Sequence, residues 1–364
     1  MGHWWLTIDK KGADSMRNRT IWGSLLLGWV GLASLLVPLP FQKVVVAEEP
    51  MRVGMIGLDT SHAPAFVKLI NQEQVAEATT KMRVVAAFPG GSDDLAASRD
   101  RVQGFTQQIQ AMGVEIVGSI QELLTKVDAV LLESVDGRKH LRQAIPVFEA
   151  GKPVFIDKPL AAGLTEAMAI DFIAKKCSGR WFSSSSLRFS PSIHRYSSPE
   201  QRAQIQGAAA WSPCALEPTH VDLFWYGIHG VEILYTAMGT GCERVVQTST
   251  DGADLVVGVW QGGRLGSFRG IRQGASGYGL VVFGKETIES DGKYEGYQPL
   301  VEEIGRFFAG GQPPVSNEET LEMMAFMQAA YRSKQLGGQS VLLREVWDTH
   351  LAEAQDLVAK LLAD

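Results

Sequence analysis

Between Met51 and about Ser178, short runs that are apolar throughout alternate with stretches whose apolar residues recur at helical spacing. A strand that is apolar at every position has to be covered on both faces, as in a parallel sheet with helices on either side. Met51–Gly57 (MRVGMIG), Met82–Phe88 (MRVVAAF), Val114–Val117, Val127–Ser134 (VDAVLLES) and Pro153–Ile156 read as such strands. Between them, Ser61–Gln74, Leu95–Met112, Ile120–Lys126, Arg138–Ala150 and Thr165–Lys176 carry helical spacing, and in the first of these Phe66, Leu69 and Ile70 share one side. Repeated strand–helix units with short connections predict an α/β fold, a doubly wound parallel sheet over residues 51–178.

After Trp181 the pattern changes. Gly207–Trp211, Arg244–Thr250, Asp254–Trp260, Arg264–Arg269 and Gly279–Phe283 are strand-like and separated by Gly-rich or polar turns. They predict an α+β domain over 179–343 with an open, largely antiparallel sheet. Helices are expected around Gly227–Met238, at Pro299–Phe308 and Glu318–Leu336, and a C-terminal helix fills 344–364.

The N-terminus has a different logic. Basic Lys10, Lys11, Arg17 and Arg19 precede an uncharged, mostly apolar run from Ile21 to Phe41, followed by Val45-Val46-Ala47. That is the order of a secretory signal, so residues 1–47 are expected to direct export and to be cleaved after Ala47. An uncleaved membrane anchor is the other reading, since the run is about long enough to span a bilayer. Either Met1 or Met16 can be the start. The net charge of −6 gives no footprint for nucleic acid. Cys177, Cys214 and Cys242 are too sparse for a disulfide framework or a zinc site, and no metal ligands are assigned.

Ala150-Gly151-Lys152-Pro153-Val154-Phe155-Ile156-Asp157-Lys158-Pro159 resembles the A-G-K-x-V-x-x-E-K-P motif of the glucose–fructose oxidoreductase / inositol dehydrogenase / MocA (Gfo/Idh/MocA) family. Arg188-Phe189-Ser190-Pro191, Gly227-Ile228-His229 and Pro313-Pro314-Val315 add to the likeness, which runs from Met51 to about Leu343. The resemblance implies a Rossmann-type dinucleotide domain, NAD or NADP as cofactor, a sugar-like or polyol substrate, and a homo-oligomer formed through the open sheet. It implies that Lys158 touches both nicotinamide and substrate hydroxyl, and that His229 exchanges the proton.

The sequence departs from the family where chemistry is expected. Of the Gly-x-Gly-x-x-Gly fingerprint, Gly57-Leu58-Asp59-Thr60-Ser61-His62 keeps only the first glycine. Asp59 is expected to face the pyrophosphate and weaken binding, with Thr60, Ser61 and His62 beside it at a helix N-terminus. No ribose-binding acid ends the second strand. Glu133 and His140, which flank the next loop, and Asp157, which precedes Lys158, are further candidates for binding the cofactor. The family acid four residues before His229 is replaced by Trp225. Asp222, Tyr226 and His229 share a helical face if the helix starts early enough, with Glu232 as a further partner. Arg188 either binds substrate or pins the second domain. The expected function is an exported dehydrogenase moving a hydride between the nicotinamide and an alcohol or ketone. A cofactor-free binding protein and a redox-neutral, NAD-retaining glycosidase or lyase remain open at this point.

Overall fold

The computed structural model describes residues 49–73 and 77–363. The leader read at 1–47 and the expected helix end at Gln74 lie outside the described residues.

Two sheets organise the chain. The first has six parallel strands: β1 (Met51–Ile56), β2 (Met82–Phe88), β3 (Glu115–Ile116), β4 (Ala129–Leu132), β5 (Val154–Ile156) and β6 (Trp181–Ser183). Their order is β3-β2-β1-β4-β5-β6. The order switches direction between β1 and β4, so their carboxyl ends flank the crevice where such sheets take ligands. Met55, Leu131 and Phe155 face one core while Ile56, Leu132 and Ile156 face the other, and all are fully buried. Burial on both sides is why these strands show no polar alternation.

Strand β6 lies past the expected boundary at 178. It pairs with β5 from Val154↔Trp181 to Ile156↔Ser183. Three residues are too few to display a period, so the sequence pattern placed them with the second region. The first helix is also shorter than expected. His62–Val67 is α-helical and continues as a π-helical turn, Lys68–Glu73. Within that turn the Asn71 side chain donates to Val84 O (2.8 Å) and accepts from Val84 N (2.9 Å), which anchors it to β2.

The second sheet comprises β7 (Ile205–Pro213), β8 (Cys242–Ser249), β9 (Ala253–Trp260), β10 (Leu265–Ile271), β11 (Gly279–Gly284), β12 (Ile288–Asp291) and β13 (Val341–Leu342). In the order β12-β11-β7-β10-β9-β8-β13, every pairing is antiparallel except β7 with β10. Val256, Trp260 and Phe268 point into the core with Tyr235 and Phe326 of the helices Ile228–Met238 and Asn317–Gln335. Leu255, Leu265 and Phe283 lie on the exposed side.

Two later segments return to the first sheet. The helix Gln298–Phe308 places Leu300, Val301, Ile304 and Phe307 in the same core as Val53, Met55 and Phe155. Each such side chain contributes about 1.5–3 kcal/mol on burial. The C-terminal helix Leu343–Leu361 packs on Leu164–Lys176, where Thr165 Oγ1 meets His350 Nδ1 at 2.8 Å and donates to Glu353 Oε2 at 2.7 Å. None of the helices among the described residues is long and apolar enough to cross a membrane.

Candidate active site

Gly57, with φ +90°, follows strand β1. A Cβ here would lie 2.3 Å from Ser134 N, so only glycine lets the loops after β1 and β4 touch. The next turns are held to β2 through Gly57 N–H to Phe88 O (2.9 Å) and Leu58 N–H to Pro89 O (2.8 Å).

Asp59 corrects the sequence reading. Its carboxylate is fully buried and points inward, accepting from Ser98 Oγ (2.5 Å) and Val135 N (2.9 Å). Burial pushes its pKa up despite these bonds. The residue ties the segment after β2 and the loop after β4 to the β1 turn, and presents no charge to a pyrophosphate. Thr60, Ser61 and His62 do line the cavity described below.

The loop after β4 is equally committed. Asp136 accepts from Ser92 Oγ (2.6 Å), Arg138 N (3.0 Å) and the Arg138 guanidinium, which extends to Asp94. Burial works against ionisation, but the Arg138 and Ser92 bonds outweigh it and hold the Asp136 carboxyl at about 2. His140, read as a cofactor residue, is fully buried, with Nε2 2.7 Å from Ser134 O and Nδ1 3.1 Å from Leu160 O. It braces two loops and does not reach the cavity. His220 Nε2 accepts from Gly137 N (3.1 Å), joining the second domain to this loop; burial lowers its pKa to about 4, which keeps the ring a neutral acceptor.

Strand β5 delivers Asp157 and Lys158. The Lys158–Pro159 peptide is cis. Asp157 turns inward to His62 Nδ1 at 2.9 Å. Burial opposes its ionisation, but the facing His62 and Lys158 outweigh this and hold its pKa down. Lys158 lines the cavity, and among the described residues its ammonium has no hydrogen-bond or ion-pair partner. Glu133, at the end of β4, is fully buried with neither carboxylate oxygen hydrogen-bonded.

The second domain contributes His229, on the first turn of Ile228–Met238. Its Nδ1 lies 2.7 Å from Ser185 Oγ, and its ring meets Tyr226 at 4.9 Å between centroids. Burial, then the charge of Lys158, pushes the imidazole well below its usual pKa. Three other expected residues stand elsewhere. The helix starts at Ile228, too late to carry Asp222, which lies in a separate turn and pairs with Lys334 (2.8 Å) and Gln247 Nε2 (3.0 Å). Arg188 is sandwiched between Glu232 (2.6 Å) and Glu319 (2.7 Å), so it pins the fold and cannot greet a substrate. Glu232, besides holding Arg188, accepts from Ser185 N (3.2 Å), and so supports the serine beside His229 without facing the cavity.

The cavity at the junction has a volume of about 280 Å³. Lys158 and His229 share it with an aromatic wall of Trp225, Tyr226, Tyr278, Tyr294 and Tyr297. The Tyr226 and Tyr278 hydroxyls lie 3.3 Å apart. Lys158 and Arg101 are the cavity's lysine and arginine, and no carboxylate lines it among the described residues. Ser185 and the three later tyrosines were missed from sequence. Ser185 sits in a serine run that looked like plain strand and loop. Gly277-Tyr278-Gly279 and Gly296-Tyr297 offered a faint signal, aromatic residues presented from glycine-rich turns.

The residues at the β1–β4 crevice fit the reactive end of a nicotinamide dinucleotide. Thr60 and Ser61 lie at the start of a helix facing the cavity, and Lys158 supplies positive charge there.

Residues 51–184 match the model of the GFO_IDH_MocA family, described as an oxidoreductase family with an NAD-binding Rossmann fold. An inositol 2-dehydrogenase of Cereibacter sphaeroides is 30% identical over 114 residues, which is 30% of this chain and 29% of that relative's length. Among solved structures, scyllo-inositol dehydrogenase from Lactobacillus casei with bound NAD(H) and scyllo-inositol superposes with a TM-score of 0.65 at 12% identity, covering 81% of this chain and 100% of that one. Myo-inositol dehydrogenase from the same organism, in complex with NAD(H) and myo-inositol, gives 0.64 at 17% identity, covering 80% and 96%. At such identities these structures show a shared fold.

Proposed function

From the premise that this chain belongs to the Gfo/Idh/MocA oxidoreductases, with an NAD-binding Rossmann domain, we propose that it is an exported dehydrogenase of neutral polyols, inositols or sugars. The observation that carries this reading is Lys158, an unpartnered ammonium at a strand end, sharing one small cavity with His229. When bound, the dinucleotide supplies the hydride acceptor or donor.

The chain's own residues supply the rest. The Lys158 ammonium stabilises negative charge developing on the substrate oxygen, a contribution worth about 3 kcal/mol or more in a dry site. The hydroxyl proton passes to His229 Nε2, while Nδ1–H is donated to Ser185 Oγ. A neutral imidazole is what this role needs, and burial beside Lys158 keeps it neutral. The tyrosine and tryptophan rings cover the C–H faces of a polyol, and the Tyr226 and Tyr278 hydroxyls meet its oxygens. Arg188 takes no part in recognition, because Glu232 and Glu319 already neutralise it away from the cavity wall. Export rests on the basic–apolar–small order of residues 1–47.

The test is nicotinamide absorbance after mixing the protein and NAD+ with a panel of inositols and hexoses. Wild type should turn over at least one of them. Lys158→Ala should lose about a hundredfold or more, with an unchanged unfolding midpoint. A Lys158→Ala variant as active as wild type would refute the assignment.

A further inference from the structure

We propose that His62, Glu133 and Asp157 form a binding site for a divalent transition-metal cation of the zinc class, set behind the cavity wall that His62 forms. The three come from three neighbouring carboxyl-edge positions: the helix start after β1, the end of β4 and the end of β5. One ligand-type atom from each lies within 4.8 Å of the others, and all three residues are buried. His62 Nδ1 and Asp157 Oδ2 are already 2.9 Å apart, close to the spacing of two ligands on one cation.

The observation that points to an occupant is Glu133. Its side chain is fully buried, and neither Oε1 nor Oε2 has a hydrogen-bond partner. Asp157 Oδ1, beside it, has none either. Buried carboxylates are paired or coordinate metals, because an unpaired one is among the costliest groups to bury. The charge of Lys158 acts on both acids, but among the described residues its ammonium makes no hydrogen bond or ion pair with either, and the Glu133 oxygens stay unmatched. Protonating Glu133 would remove its charge and still leave polar oxygens unmatched. A divalent cation would offset both carboxylates and engage the orphaned oxygens at once.

The donor set selects the cation. One imidazole with two carboxylates suits zinc, with manganese next. Magnesium prefers an octahedron of oxygens, keeps several waters and should bind far more weakly. The sequence offered no warning, because the ligands are scattered over three strand ends and form no local motif. The site does not depend on the dehydrogenase reading, and its test is read without turnover.

The test uses chelator-stripped protein and zinc chloride alone, followed by calorimetry and by thermal unfolding with and without the metal. Wild type should take up one zinc per chain and unfold at a higher temperature with it. Glu133→Gln and His62→Gln should each weaken binding at least tenfold and lose the zinc-dependent shift. Without metal, Glu133→Gln should be no less stable than wild type, since the carboxyl has no hydrogen-bond partner to lose; this keeps the variant informative. Zinc uptake with equal affinity in wild type and both folded variants, or no uptake by wild type, would overturn the proposal.

Discussion

Asp59→Ala separates two roles for the altered nucleotide loop. In the structure the Asp59 carboxylate accepts from Ser98 Oγ at 2.5 Å and Val135 N at 2.9 Å in a fully buried setting. Alanine would leave both donors unpaired, each at a cost of about 1–3 kcal/mol. Removing a carboxyl whose pKa is raised by burial returns part of that, so the net loss should be about 2–4 kcal/mol. Unfolding entropy of about 2.1 cal/mol/K per residue, over the roughly 300 described residues, gives about 0.6 kcal/mol per degree. The unfolding midpoint should therefore fall by about 3–7 °C. Circular dichroism measures that shift, and calorimetric titration of NAD+ measures the affinity, which should stay equal or weaken as the loop loosens. An affinity about tenfold tighter with an unchanged midpoint would refute the reasoning. It would mean that the carboxylate faces the phosphates and costs about 1.4 kcal/mol in binding.

Ser185→Ala should remove the partner of His229 Nδ1, lowering kcat severalfold while KM changes little; an unaltered kcat would show that Ser185 does not position the ring. Asp136 gives a pH signature. Its folded pKa is about 2 against an ordinary 3.8, so its contribution to stability is fully present above about pH 4 and is lost as pH falls through about 2. Asp136→Asn should flatten that part of the acid-unfolding curve, and an unchanged curve would show that the Arg138–Ser92 clamp contributes nothing.

The two-sheet architecture was legible because its elements carry strong periods. Wholly apolar strands announced the parallel sheet, strand-like runs separated by Gly-rich or polar turns announced the second, and the helices expected at Pro299–Phe308 and Glu318–Leu336 fall within a residue of Gln298–Phe308 and Asn317–Gln335, while the last helix stops at Leu361. What the sequence could not show was direction. Asp59 and His140 stand at ligand-binding loops, yet their side chains turn into the protein because buried N–H, O–H and C=O groups there need partners. Asp222 was grouped with His229 on helical spacing, but the helix begins only at Ile228 and Lys334 claims the acid. Arg188 was equally open to either role until Glu319, far along the chain, closed the question. The tyrosine wall and the Glu133–Asp157–His62 cluster arise only when distant strand and loop ends converge, which no local pattern encodes.

The central claim is that this cavity transfers a hydride between a neutral polyol carbon and a nicotinamide. It is tested most directly by incubating the protein with NAD+ and inositols or hexoses deuterated at their carbinol carbons, then weighing the recovered dinucleotide by mass spectrometry. The account predicts reduced dinucleotide carrying the deuterium, from wild type and not from Lys158→Ala. Protein that binds NAD+ and the polyol but leaves the dinucleotide unlabelled would contradict it.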